Sequence, residues 1–295
     1  MAQNWQPQKC LHLSKELAKK TPKIVGEYLI TTKFEGWYVV IPYLKNLGWQ
    51  TPQSFNNASS SFRDVPSLLW TRYELSKLPT PDWNCYLIVE GLVPDTTFEK
   101  TNGLLNRKES CLGVRFYAHD IIVPSLPALT GLERWNLLQS FEVEKSGLVE
   151  KIPLLLVSSF NQLAWENLAA NRIAKGEEGI VMKSASVPYQ VGKRNATLLK
   201  LKMEFEKDLQ VVNLELTKGK KGNTGYTLVS KGKNGVEVRT VINGHADQRY
   251  FEGLSFSELQ SKVVLVKGMR ELEDGNIKEP VFVRVREDKH IADID

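Results

Sequence analysis

Residues 178–202 constrain this chain more than any other stretch. They read Glu178-Gly-Ile-Val-Met-Lys183, a turn-rich connector with Pro188 and Gly192, and then Leu198-Leu-Lys-Leu-Lys202. Ile180 to Met182 is a short apolar run with an acid at one end and a lysine at the other. Leu198 to Lys202 alternates Leu and Lys in strand period, which sets Lys200 and Lys202 on one face. Two neighbouring strands then bring one carboxylate and several ammonium groups together. Lysines that grip an anion, beside a carboxylate that holds a cation, are the equipment of phosphoryl transfer. An antiparallel sheet with a solvated charged face has the same spacing, so spacing alone leaves both readings open.

The chain's 295 residues exceed one typical domain, and 42% hydrophobic with 25% charged residues describes a globular protein with a real core. Its net charge of +5 is a mild bias towards acidic partners such as nucleic acid. That excess lies in residues 1–202, with 24 Lys and Arg against 18 Asp and Glu, whereas 203–295 carry 15 against 16. Cys10, Cys85 and Cys111 lack metal-ligand spacing and read as reduced thiols, and the four scattered histidines argue against a zinc site. No run reaches transmembrane length and the N-terminus lacks a signal-peptide core, so the expectation is a soluble, cytoplasmic protein.

Along the chain, residues 10–20 read as a short amphipathic helix, 24–41 as strands interrupted by Lys33-Phe34-Glu35-Gly36, and 49–64 as loop. Residues 66–78 read as a helix with Pro at its first turn, 85–93 as a strand carrying Glu90, 94–112 as a long connection, and 113–123 as another strand. Helices follow over 131–141 and 160–175, with a strand over 152–158 between them. From 208 onwards short strands alternate with Gly-rich turns, and 255–262 is the one helix of note. Five strands at that spacing suggest an OB-type barrel, with the boundary near 203–207 and domains over 1–202 and 203–295.

Several residues stand out for their chemistry. Lys33 follows a strand and sits beside Gly36, and a lysine turns nucleophile once its amine loses its proton. Arg63 could clamp a phosphate, Glu90 in an apolar strand needs a hydroxyl or cation partner, and Phe116 could stack on a base. Arg286-Glu-Asp-Lys289 follows a strand near the C-terminus. Lys218, Lys220, Lys221, Lys231 and Lys233 lie on turns with no acid between 216 and 236, a pattern that suits a nucleic-acid backbone. Surface turns, solvated arginines, core aromatics and basic hairpin tips account equally for each feature taken alone.

Their order is more telling. Lys-x-Glu-Gly at 33, Ser-Phe-Arg at 61, Glu90, Phe116 with Asp120, Glu-Gly-Ile-Val-Met-Lys at 178, Leu-Lys-Leu-Lys at 199 and Arg-x-Asp-Lys at 286 form a series. In identity, order and spacing this resembles the covalent nucleotidyltransferases, and most closely the ATP-dependent DNA ligases, from about residue 24 to 289. Pro188-Tyr189-x-x-Gly192-Lys193-Arg194 before Leu199-Lys-Leu-Lys looks like the ligase hinge. The resemblance implies an α+β nucleotidyltransferase domain, ATP-grasp-like with antiparallel sheets and helices, followed by an all-β OB-fold domain. It implies that Lys33 carries AMP from ATP, that Arg63 contacts the ribose or the nick 5′-phosphate, that Glu90 holds the ribose hydroxyls, and that Phe116 stacks on adenine. Glu178, with Glu90, would hold Mg²⁺, while Lys200 and Lys202 grip the α-phosphate with Glu35 and Lys183 in the nucleotide site. Arg286 and Lys289 would orient pyrophosphate.

Nicked duplex DNA is the expected partner of a monomer, with Arg63, Arg107, Lys108, Lys193, Arg194, Lys218, Lys220 and Lys221 as its contacts. The pattern is that of the minimal two-domain form, without a preceding DNA-binding domain, serving replication, repair or recombination. Two positions depart from the family: Glu35 stands where Asp is usual, and Tyr38 where Arg is usual. With a phosphate donor lost at 38, Arg63 or Lys183 is the expected substitute. Three alternatives remain: RNA joining by the same chemistry, mRNA capping with GTP, and an OB-fold binding protein whose catalytic half has decayed.

Overall fold

The computed structural model describes residues 6–56, 61–202, 204–218, 224–272 and 274–295. The chain divides into two compact units, Met1–Lys202 and Met203–Asp295.

Two sheets build the first unit. One runs in the order Leu11–His12, Leu198–Lys202, Gly179–Ser184, Glu27–Lys33, Leu154–Ser159. Its strand Glu27–Lys33 is buried continuously from Tyr28 to Thr32, because helix Gln162–Ile173 covers one side, with Trp165 against Tyr28 at 5.3 Å between ring centroids, and Trp135 and Ala185 pack on Leu29 on the other. The other sheet has seven strands, centred on Trp37–Leu44, Cys85–Leu92 and Arg115–Ile122. Strand alternation sorts the residues of Trp37–Leu44 to opposite faces. Val39, Ile41 and Tyr43 enter a large core with Leu87, Val89 and Phe116, while Tyr38 and Val40 join Tyr86, Ile88 and Ile122 on the other side. That second face is the one that meets the cavity described below.

Several elements differ from the sequence reading. Residues 49–64 hold a hairpin, Gln53–Asn56 with Ser61–Asp64, rather than a loop, and its polar strands are pinned by Phe55 against Phe62 at 5.1 Å. The connection 94–112 contains helix Phe98–Leu105, begun by the Thr97 side chain accepting the Lys100 N–H. The helix expected over 10–20 contracts to Leu13–Leu17, preceded by strand Leu11–His12. Residues 66–78 split into a 3-10 turn, Pro66–Leu68, and helix Thr71–Leu75.

The second unit has five strands in the order Glu237–Ile242, Thr224–Lys231, Phe205–Lys218, Val263–Gly268, Val281–Val285, around a core of Leu209, Leu228, Phe251 and Val264. The two outermost strands lie against each other, so the sheet curls on itself as in an OB barrel. Two helices, His245–Glu252 and Phe256–Gln260, precede the fourth strand. The first was missed because Phe251 is its one buried residue, leaving almost no apolar stripe to read. No helix among the described residues is long and apolar enough to cross a membrane.

Candidate active site

A cavity of about 430 Å³ opens between the two sheets of the first unit. Lys33, at the end of its strand, pairs in register with Gly179, and Lys200 pairs with Val181 across the next strand. The antiparallel register therefore sets Lys33, Gly179 and Lys202 side by side at one sheet end, with Glu178 just before its strand and Lys200 two residues in from the end. Lys33 Nζ donates to Glu178 Oε2 at 2.5 Å, and Lys202 Nζ lies 3.9 Å from the other oxygen of Glu178. Gly179 is required beside Glu178: its φ is +139°, and a Cβ there would lie 2.2 Å from the Leu201 carbonyl oxygen.

Burial works against the Lys33 ammonium, yet the carboxylates of Glu178 and Glu90 outweigh it and hold its pKa above the ordinary lysine value. Glu90 lies on the cavity wall, where burial pushes its pKa up to about 7 although Lys33 pulls it down. The Gly36 N–H donates to Glu90, and a Cβ at Gly36 would stand 2.8 Å from Glu90 Cγ, so this turn also needs glycine. Lys200 is lowered by burial and by its neighbours Lys202 and Lys33.

Behind this group lies a buried ion cluster. Asp120 accepts from Arg134 Nε at 2.9 Å and pairs with Lys183 at 2.7 Å, and Lys183 also donates to the His119 carbonyl at 2.8 Å. Burial alone would raise the Asp120 carboxyl, but Lys183 and Arg134 hold it far below the usual carboxylate range. His119, on the cavity wall, is pushed down to about 4 by burial and by the Lys183 charge, so it is a neutral imidazole.

Lys33, Glu90, Lys183, Arg194 and Lys200 all line the cavity. Phe116 does not: it is 0% exposed inside the hydrophobic core, where it cannot meet a base as expected. One residue along the same strand, Tyr117 stacks on Phe34 at 4.7 Å, and Phe34 forms part of the wall with Tyr38, Phe55 and Tyr189. Strand alternation explains the exchange, since Phe116 points to the core and its neighbours away from it. Glu35 is half-buried and Arg63 exposed, and neither belongs to the wall. Of the two substitutes expected for an arginine at position 38, Lys183 lines the cavity and is engaged by Asp120, whereas Arg63 is not on the wall. Tyr38 instead brings its hydroxyl to 3.4 Å from that of Tyr189.

Arg107 and Lys108 are exposed just beyond helix Phe98–Leu105, and Lys193 is exposed on the connector. Lys220 and Lys221 lie outside the described residues, as does the side chain of Lys218. In the second unit, Arg286 bonds Asp208 at 2.8 and 2.9 Å, and Lys289 reaches the same carboxylate at 2.5 Å. Gln8, Lys9, Cys10, His119 and Arg134 were missed as site residues. Their positions depend on contacts far along the chain, for which local patterning holds no signal.

The ATP dependent DNA ligase domain family matches residues 94–202, a stretch that includes Glu178, Lys183, Lys200 and Lys202 but begins after Lys33 and Glu90. A DNA ligase of Nitrosopumilus maritimus (strain SCM1) is 34% identical over 107 residues, covering 34% of this chain and 18% of that protein. The match thus spans less than a fifth of the relative's length. Among solved structures, Pmar-Lig_Pre. has a TM-score of 0.75 at 16% identity, covering 96% of this chain and 68% of its own. A structure from a structure–function study of Lig E DNA ligases, on DNA binding with a minimal scaffold, gives 0.69 at 18% identity and covers 95% and 99%. The ATP-dependent DNA ligase of bacteriophage T7, in complex with ATP, gives 0.52 at 17% identity, covering 96% and 98%. Residues 94–202 are thus similar to the ATP dependent DNA ligase domain, and the chain as a whole has the fold of these solved ligases.

Proposed function

We propose that the protein seals 5′-phosphate/3′-hydroxyl nicks in duplex DNA, using ATP. The observation that carries this reading is the convergence of Lys33, Glu90, Lys183 and Lys200 on one cavity, with Glu178 bonded to the Lys33 amine. Lys33 is held as an ammonium and must lose a proton before Nζ can attack the α-phosphorus of ATP. Glu178, already hydrogen-bonded to Nζ, is the acceptor at hand. The N–P bond forms as the P–O bond to pyrophosphate breaks, leaving AMP on Lys33. Lys200 and Lys202 bring positive charge to the α-phosphate, so catalysis rests on alignment and charge neutralisation. AMP then passes to the 5′-phosphate of the nick, and the 3′-hydroxyl displaces it.

Glu90 suits the ribose hydroxyls, and Phe34 with the wall tyrosines suits the base. Arg286 and Lys289 of the second unit are proposed to orient pyrophosphate, and Arg63, Arg107, Lys108, Lys193 and Arg194 to meet DNA phosphates. Glu178 and Glu90 are hard oxygen donors facing one ammonium. That set fits Mg²⁺, which binds through one or two carboxylates plus phosphate and water, although no cluster of three ligating side chains occurs among the described residues. When bound, the ion would neutralise phosphate charge beside Glu178 and Glu90.

The test is incubation with α-labelled ATP and Mg²⁺ after pyrophosphate treatment to strip bound AMP, followed by denaturing electrophoresis. Wild type is expected to retain label and Lys33→Ala to lose it; no label in wild type would sink the reading. Label from GTP instead would indicate capping chemistry. Sealing of all-DNA nicks, compared with nicks carrying RNA on the 3′-hydroxyl side, separates DNA from RNA joining, with all-DNA nicks expected to seal faster.

A further inference from the structure

One wall of the cavity comes from residues 7–10, ahead of every motif that points to adenylyl transfer. This segment is tied to the connector 189–197 almost residue by residue. The Gly192 N–H donates to the Gln6 carbonyl at 3.1 Å, and the Lys9 N–H donates to the Lys193 carbonyl at 2.9 Å. Gln8 makes three further bonds. Its N–H donates to the Tyr189 hydroxyl at 2.7 Å, its Nε2 to Thr197 Oγ1 at 2.7 Å, and its Oε1 accepts the Gln190 N–H at 3.2 Å. Strand Leu11–His12 then pairs in parallel with Leu199 and Lys200, fixing the segment beside the phosphate-side lysine.

Five cations line the cavity, and two of them are engaged: Lys33 by Glu178 and Lys183 by Asp120. No carboxylate among the described residues pairs with Lys9, Arg194 or Lys200. Lys9 is held at the wall, with Nζ 5.9 Å from the ring centroid of Phe55, another wall residue. Three uncompensated cations around a concave site call for an anion. Tyr38 gives the cavity a neutral hydroxyl where an arginine would have given a charge, which leaves the segment's lysine as the added donor.

We propose that Lys9 binds a phosphate group in this cavity and that Gln8 positions the segment that carries it. The proposal rests on the adenylyl-transfer reading for its choice of ligand. The phosphate belongs either to the nucleotide or to the 5′ end of the nicked strand, and Lys9 donates a charge-assisted hydrogen bond to it in both cases.

The full-length protein, Lys9→Ala, Gln8→Ala and, as control, Lys15→Ala on the exposed face of the short helix would be compared in two assays. In the first, AMP and adenosine binding are titrated side by side. In the second, enzyme already carrying AMP is mixed with nicked DNA and transfer to the 5′-phosphate is timed. A roughly tenfold loss of AMP affinity in Lys9→Ala, with adenosine affinity kept, assigns the contact to the nucleotide phosphate. Unchanged AMP binding with transfer about tenfold slower assigns it to the strand's 5′-phosphate. If Lys9→Ala changes neither, the proposal is overturned. Gln8→Ala is expected to weaken the same step while sparing adenosine; equal loss of adenosine binding would mean that Gln8 only holds the fold. Wild type that binds AMP but forms no adduct from ATP would instead overturn the ligase reading and leave the binding arm interpretable.

Discussion

Glu90 illustrates how burial makes one side chain sensitive to pH. Its pKa stands at about 7, above the ordinary carboxylate value, because burial outweighs the pull of Lys33. A raised folded-state pKa means that the folded protein binds the proton more tightly than the unfolded chain. Stability is therefore greatest below the ordinary value and falls as pH climbs through 7. Glu90→Gln removes the buried charge and is expected to stabilise the protein by roughly 1–3 kcal/mol at pH 8, with little gain at pH 5. Thermal melts at the two pH values check this, and an equal shift at both would contradict it. The same substitution is expected to slow adduct formation, since the charge lost is the one proposed for ribose and metal. His119 works in the opposite direction, its neutral imidazole becoming a liability as pH falls from about 6.5 towards 4.

Among the elements, the ion cluster between strand Arg115–Ile122, helix Gly131–Ser140 and strand Gly179–Ser184 ties the two sheets together. Asp120 and Arg134 are each 3% exposed, and Lys183 is the third member. Asp120→Asn would leave two buried cations without their counter-charge, at an expected cost of about 3–5 kcal/mol, measurable by denaturant unfolding. A loss below about 1 kcal/mol would mean that water already screens the cluster.

This level also shows what local sequence can and cannot reveal. The convergence of Lys33, Glu178 and Lys200 was legible because Lys33 ends one strand, Glu178 directly precedes the next, and Lys200 lies in a third where period-2 alternation fixes its side. Phe116 was assigned to the wrong face, since periodicity says that neighbours alternate but not which of them meets the core. Hairpin Gln53–Asn56 with Ser61–Asp64 was hidden by its Ser and Asn content, which reads as loop until the Phe55–Phe62 contact is seen. Gln8 and Tyr189 are hydrogen-bonded across 181 positions, a separation that no local pattern reaches.

At the scale of the whole molecule, each unit has its own hydrophobic core, and in the second unit Arg286 and Lys289 share one carboxylate. Asp208, buried beneath Arg286 and Lys289, binds both. Asp208→Ala is expected to lower the stability of the protein by roughly 1–3 kcal/mol, since Arg286 keeps Asp288 as a second partner. It should also slow adduct formation, because the two cations lose the carboxylate that aligns them. Rapid-quench measurement of labelled AMP transfer to Lys33 checks this; an unchanged rate would show that Arg286 and Lys289 find their positions without Asp208. The Lys33–Glu178 pair has a different consequence for the molecule between turnovers. A free amine in the role proposed for Lys33 would also react with cyanate and other adventitious electrophiles, and each lasting modification would remove it. Paired with Glu178, Lys33 is held as an ammonium, a form that does not attack such electrophiles, so the nucleophile proposed above is protected between substrates.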